Sequence, residues 1–145
     1  MAMSVEPLTL SVEDPTGTIT VVFVAGDLNR ASAPRLARLV DSRLDRCAET
    51  GRSHIIVDLA CVRNFGQGGL HVLRHAQFAG AQAGVVLHLT GLSDRVGLLP
   101  TWVSEVVARF DTFPSVEAAV LALSRVEPGD DGFGPDGEEK TQNPA

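Results

Sequence analysis

The chain's 145 residues suffice for one domain with a substantial core, and aromatic content is low, with one Trp and no Tyr. Of the net charge of −6, −5 falls in residues 126–145, which hold six acids and one lysine, so the preceding 125 residues are nearly neutral at −1. A neutral domain presents no electrostatic footprint to nucleic acid or to an anionic membrane, and neither is expected as a partner.

After a short N-terminal arm (1–7), "PLTLSVE" sets Leu8, Leu10 and Val12 at period two, the pattern of a half-buried strand. A turn at "DPTG" leads into "TITVVFVAG" (18–26), apolar on both faces as a central strand is, so the two read as a hairpin. Ser32 is placed to cap the next helix with its hydroxyl, and Pro34 falls in the first turn, where its missing N–H does no harm. Leu36, Leu39, Val40, Leu44 and Cys47 then form one apolar stripe. "HIIVDL" (54–59) reads as a short buried strand, followed by a glycine-rich joint and a helix over about 69–83. "GVVLHLTG" (84–91) is another strand. Gly97 and Pro100 break residues 92–109 into short helical pieces, the second carrying Trp102, Val103, Val106 and Val107. "RFDTF" supplies a short strand, and a last helix buries Val116, Ala119, Val120 and Leu123. This order predicts an α/β fold: a mixed central sheet of four to five strands with an N-terminal β-hairpin and four helices packed on it. The domain is expected over 8–125, and 126–145, acidic and poor in apolar groups, is expected to be a disordered tail.

The opening "MAMSVEPLTL" lacks the basic and long apolar regions of a secretory leader. The longest uncharged run, 75–93, contains glutamines, a second histidine and glycines that suit no lipid-facing helix, so a cytoplasmic protein without membrane insertion is expected. Cys47 and Cys61 form no CxxC. Cys47 shares the core stripe and reads as a small buried hydrophobe, a redox link to Cys61 near the joint being the alternative. "GQGG" (66–69) fails the dinucleotide-loop pattern, since His71 stands where a small residue is needed. His71 and His75, one helical turn apart, have a metal-sharing spacing, but Val72 replaces the zincin glutamate and no third ligand is evident. Asp27, Asp58 and Asp111 form no recognisable acid–base pair and the joint has no nucleophile, so neither catalysis nor a cofactor is expected. Helical geometry groups His71, His75, Phe78 and Gln82 opposite Leu73, Ala76 and Gly80, a face that is either plain surface or a partner contact.

"VAGDLNRASAPRL" (24–36) resembles the phrase G-E-L-D-x-x-(T/S)-A-P-x-L, and "VDLACVRNFGQGGLHVL" (57–73) resembles V-D-L-S-G-V-x-F-I-D-S-S-G-L-x-V-L. With "FPSVEAAVLAL" as the final helix, residues 8–125 resemble the STAS domain of bacterial anti-sigma-factor antagonists. The resemblance implies a STAS fold and docking on an anti-sigma factor, commonly a GHKL-type serine kinase, which frees a sigma factor. In that family phosphorylation of the second serine of D-S-S-G breaks the complex, because a phosphate adds about −1.5 to −2 charges to a close interface. Here D-S-S-G falls on Gly66, Gln67, Gly68 and Gly69, and the aspartate of the opening phrase falls on Asn29. The usual acceptor is therefore Gly68, which has no hydroxyl. The implied reading is a docking surface of Asp27, Asn29, Ser32, Gly66, Gln67, Gly68, Gly69, His71, His75 and Phe78 with its switch removed. Gly68→Glu is expected to weaken binding and leave the fold intact. A homodimer is left open. The alternative is a STAS subunit of a transport or stress-sensing assembly, or a small-ligand sensor, with no sigma-factor role.

Overall fold

In the computed structural model, which describes residues 7–125, β1 (Thr9–Glu13) and β2 (Ile19–Leu28) pair antiparallel as the expected hairpin, Val12 opposite Val22. Thr20 Oγ1 ties its turn by donating to Asp14 at 2.7 Å. The expected acidic tail (126–145) and residues 1–6 of the expected arm lie outside the described residues. β3 (His54–Phe65), β4 (Val86–Thr90) and β5 (Asp111–Phe113) follow in parallel, giving a five-stranded mixed sheet in chain order. Parallel neighbours need long connections. These are α1 (Ala33–Thr50), α2 (His71–Gln82), and a 3-10 turn (Ser93–Leu98) followed by α3 (Thr101–Val107); α4 (Val116–Arg125) closes the order. Gly51, at φ 77°, ends α1 in the left-handed conformation that a Cβ would resist.

Strand alternation divides the core in two. Val22, Val24 and Leu28 of β2, Ile55, Val57 and Leu59 of β3, and Leu87 and Leu89 of β4 pack under Leu36, Val40 and Leu44 of α1 and Leu73 and Ala76 of α2. On the other face Ile19, Val21 and Ile56 meet Ala119 and Leu123 of α4, with Phe23, Phe113, Val116 and Val120 around them. Each fully buried aliphatic side chain contributes about 1.5–3 kcal/mol, so the larger first layer dominates stability.

The thinner layer contains a polar inclusion. His88, 3% exposed, stands with Nε2 3.1 Å from His54 Nδ1, while its Nδ1 lies 3.9 Å from Asp111 Oδ2. Burial pushes the His88 imidazole down to about 4; the neighbouring His54 adds to the effect and Asp111 opposes it. Beside it, Thr90 donates its hydroxyl to Asp58 at 2.7 Å.

β3 does not stop at Leu59 as its apolar run suggests. Register shifts between Phe23 and Ala25 and between Gly26 and Asp27 let Cys61, Val62, Asn64 and Phe65 keep pairing with β2, and the bulged stretch exposes Ala60, Cys61, Arg63 and Asn64. Cys61 thus lies within the strand and faces solvent, whereas Cys47 is buried in the core and burial pushes its thiol up. The joint before α2 shrinks to Gly66–Leu70.

Candidate functional site

Two loops meet where β2 and β3 end. The first, after Leu28, is organised by Asn29, whose Oδ1 accepts from the N–H groups of Ala31 (2.9 Å) and Ser32 (3.1 Å). The Asn29 carbonyl accepts from Ala33 N at 2.8 Å, which starts α1. Ser32 occupies the cap position, but its hydroxyl makes no capping bond, contrary to expectation. It accepts from Asn29 N (3.0 Å) and donates to the Asp27 carbonyl (2.9 Å), so it closes the loop on itself. Asp27 is buried, and its carboxylate accepts from Asn64 Nδ2 at 2.8 Å, joining the ends of the two strands.

The second loop is pressed onto the first. Gly66 N donates to the Leu28 carbonyl at 2.8 Å, and a Cβ on Gly66 would stand 2.6 Å from Asn29 Cβ. A Cβ on Gly69 would stand 2.6 Å from the Leu28 carbonyl oxygen, closer than such contacts allow. Gly68 has φ 85° and lies under Arg30, whose Cβ and Nε would each be 3.3 Å from a new Cβ. A side chain in left-handed backbone costs roughly 1–2 kcal/mol. Gly68→Glu therefore carries a local strain that the sequence alone did not reveal, and it would not leave the joint undisturbed. Gln67 projects from the loop, exposed.

α2 then presents His71, His75, Phe78 and Gln82 to solvent, with Phe78 65% exposed, while Leu73, Ala76 and Gly80 are buried. Alongside the joint a cleft of about 390 Å³ runs between α2 and α3, lined by Arg30, Gln67, Gly68, His71, Arg74, Trp102, Glu105 and Arg109 among others. Among the described residues no three His, Cys, Asp or Glu side chains gather as a metal site, and no helix is long and apolar enough to cross a membrane.

A family model described as the STAS domain matches residues 11–119, most of the chain. The chain belongs to the STAS domain family. A search of curated protein sequences finds no match. Among solved structures, an anti-sigma factor antagonist from Mycobacterium paratuberculosis is similar at 23% identity and TM-score 0.63, covering 81% of this chain and 95% of that one. SpoIIAA in its unphosphorylated form shares 12% identity at TM-score 0.58, covering 82% of this chain and 100% of that one. A sulfate transporter family protein from Wolinella succinogenes shares 23% at TM-score 0.58, over 77% and 88% of the two chains. At these identities the likeness is one of fold, and the sheet with its four helices is the STAS fold.

Within this STAS domain, seven of the residues singled out from sequence come together: Asp27, Asn29, Ser32 and Gly66 to Gly69 form the paired loops. Of these, Asp27 supports the loops from within, without an exposed face. His71 joins them at the cleft, whereas His75 and Phe78 lie farther along α2. Sequence reasoning missed Arg30, Arg74, Trp102 and Arg109. The missed signal was the concentration of arginine around the joint once α3 is laid beside α2.

Proposed function

We propose that this chain is a non-catalytic protein-binding module of the anti-sigma-factor-antagonist type. It docks an anti-sigma factor, a GHKL-type serine kinase by family resemblance, through loops 27–32 and 66–71 and the outer face of α2, and so frees a sigma factor in the cytoplasm. Structural likeness to two anti-sigma factor antagonists supports the class. Gly68 carries the particular form of the reading: the position that matches the family's phosphoacceptor has no hydroxyl and sits at φ 85° under Arg30. The half-buried Ser32 hydroxyl is already engaged by Asp27 and Asn29 and is a poor substitute acceptor. Docking on this surface is then set by concentration alone, with no phosphate to introduce desolvated charge.

Calorimetric titration of the anti-sigma kinase from the source cell into this protein, with and without ATP, tests the reading. One Kd under both conditions, and no phosphate on the protein by mass spectrometry, is expected. Phosphate on Ser32 accompanied by dissociation would overturn it. The second reading, a STAS component of a transport assembly, draws on the transporter-family neighbour, whose TM-score equals that of SpoIIAA. Recovery of a membrane transporter subunit in place of an anti-sigma kinase on co-purification favours it.

A further inference from the structure

The docking loops form one wall of the cleft between α2 and α3, through Arg30, Gln67, Gly68, Leu70 and His71, but docking leaves its α3 wall unused, and the cleft concentrates one sign of charge. Arg30 from the first loop, Arg74 from α2 and Arg109 beyond α3 line it, opposed by one carboxylate, Glu105. Over residues 7–125 eleven arginines balance eleven acids, so this excess of two positive charges is local. Among the described residues none of the three guanidiniums makes a side-chain hydrogen bond or ion pair. α2 begins at the same place: Leu70 and His71 line the cleft, no side chain caps the helix, and its first turn holds no acid. The N–H groups and dipole of a helix start favour an anion, and guanidinium forks match phosphoryl oxygens. Half-buried Trp102, with Leu70 and Val106, adds an apolar wall, and 390 Å³ falls in the size range of small-molecule sites.

We propose that this cleft binds a small phosphate monoester carried on a planar ring, with the phosphate among Arg30, Arg74 and Arg109 at the start of α2 and the ring against Trp102. Three cations and a helix start call for a dianion with several acceptor oxygens, which a carboxylate does not supply. The indole offers a flat apolar face, which a bare inorganic ion does not exploit. Glu105 is the one opposing group and limits affinity. The site shares Arg30, Gln67, Gly68, Leu70 and His71 with the docking surface, but its test uses this chain alone, so failure here is distinguishable from failure of the docking reading.

Trp102 is the only tryptophan and there is no tyrosine, so intrinsic fluorescence of the full chain reports on the cleft directly. Titration with phenyl phosphate at low salt should change the emission saturably, with inorganic phosphate and benzoate binding more weakly and benzyl alcohol giving no saturable change. Arg74→Gln and Arg109→Gln should each weaken phenyl phosphate binding about tenfold, the loss of one charge-assisted contact, with circular dichroism unchanged. Glu105→Gln should tighten it several-fold. No saturable response to millimolar phenyl phosphate overturns the proposal, as does an unaltered affinity in the Arg74→Gln/Arg109→Gln double variant. Benzoate binding as tightly as phenyl phosphate removes the phosphate assignment. Inorganic phosphate doing so removes the ring, and an equal response to benzyl alcohol reduces the cleft to an apolar patch.

Discussion

Acidification should destabilise the fold through one residue buried between β3 and β5. His88 is buried between His54 on β3 and Asp111 and Phe113 on β5, and its imidazole titrates at about 4 against an ordinary 6.5. Between those two values the unfolded chain takes up a proton that the folded chain refuses. The stability that His88 contributes is therefore complete above 6.5 and is lost as pH falls toward 4. At about 1.4 kcal/mol per pH unit the whole window is worth roughly 3 kcal/mol, and about 2 kcal/mol disappears between about pH 7.5 and about pH 5. That is a large part of a typical domain stability of about 5–15 kcal/mol. Carboxylates titrate in the same direction, so the measurement is a difference: urea unfolding of the wild type and of His88→Leu across this pH series. The wild type should lose about 2 kcal/mol more than the variant on going to about pH 5. Parallel curves would refute the reasoning, as would a His88 ring proton whose NMR shift titrates at the ordinary histidine value.

Two further outcomes follow from burial and close approach. Gly69→Ala forces a Cβ to 2.6 Å from the Leu28 carbonyl oxygen and should cost about 1–3 kcal/mol in chemical denaturation, whereas Gly17→Ala, with open space around it, should change stability by less than about 0.5 kcal/mol. A native-state thiol reagent should modify Cys61 rapidly and reach buried Cys47 only on unfolding; rapid modification of both would show that the α1 core is open, and oxidation to a Cys47–Cys61 disulfide without unfolding would restore the redox alternative.

The elements that sequence patterning located are those whose apolar period is uninterrupted. Leu8, Leu10 and Val12, the α1 stripe through Cys47, and the Val116 to Leu123 face all turn toward the core as their spacing specifies, with Leu10, Val12, Leu39, Val116 and Val120 partly buried at its edge. β3 was truncated in the sequence reading because a bulge breaks alternation, and Ala60 and Cys61 then read as loop although pairing continues to Phe65. The Ser32 cap failed for a local reason: Pro34 has no N–H to offer and Arg35 N bonds the Ser32 carbonyl, while the Ser32 hydroxyl is held by Asn29 N and the Asp27 carbonyl. The paired loops were legible because two motifs mark them. The cleft was not, since Arg30, the Gly68 to Arg74 stretch and the Trp102 to Arg109 stretch come from three separate parts of the chain, and the last joins the others only through the placement of α3.

The glycines of the joint also bear on how this chain can change over generations. An aspartate at position 66 would collide with Asn29, and a serine at 68 would meet both an unfavourable backbone and the Arg30 side chain. An acidic residue at 66 together with a hydroxyl at 68 is thus coupled to the side chains at 29 and 30, so these four positions constrain one another and single changes at the joint are the disfavoured ones.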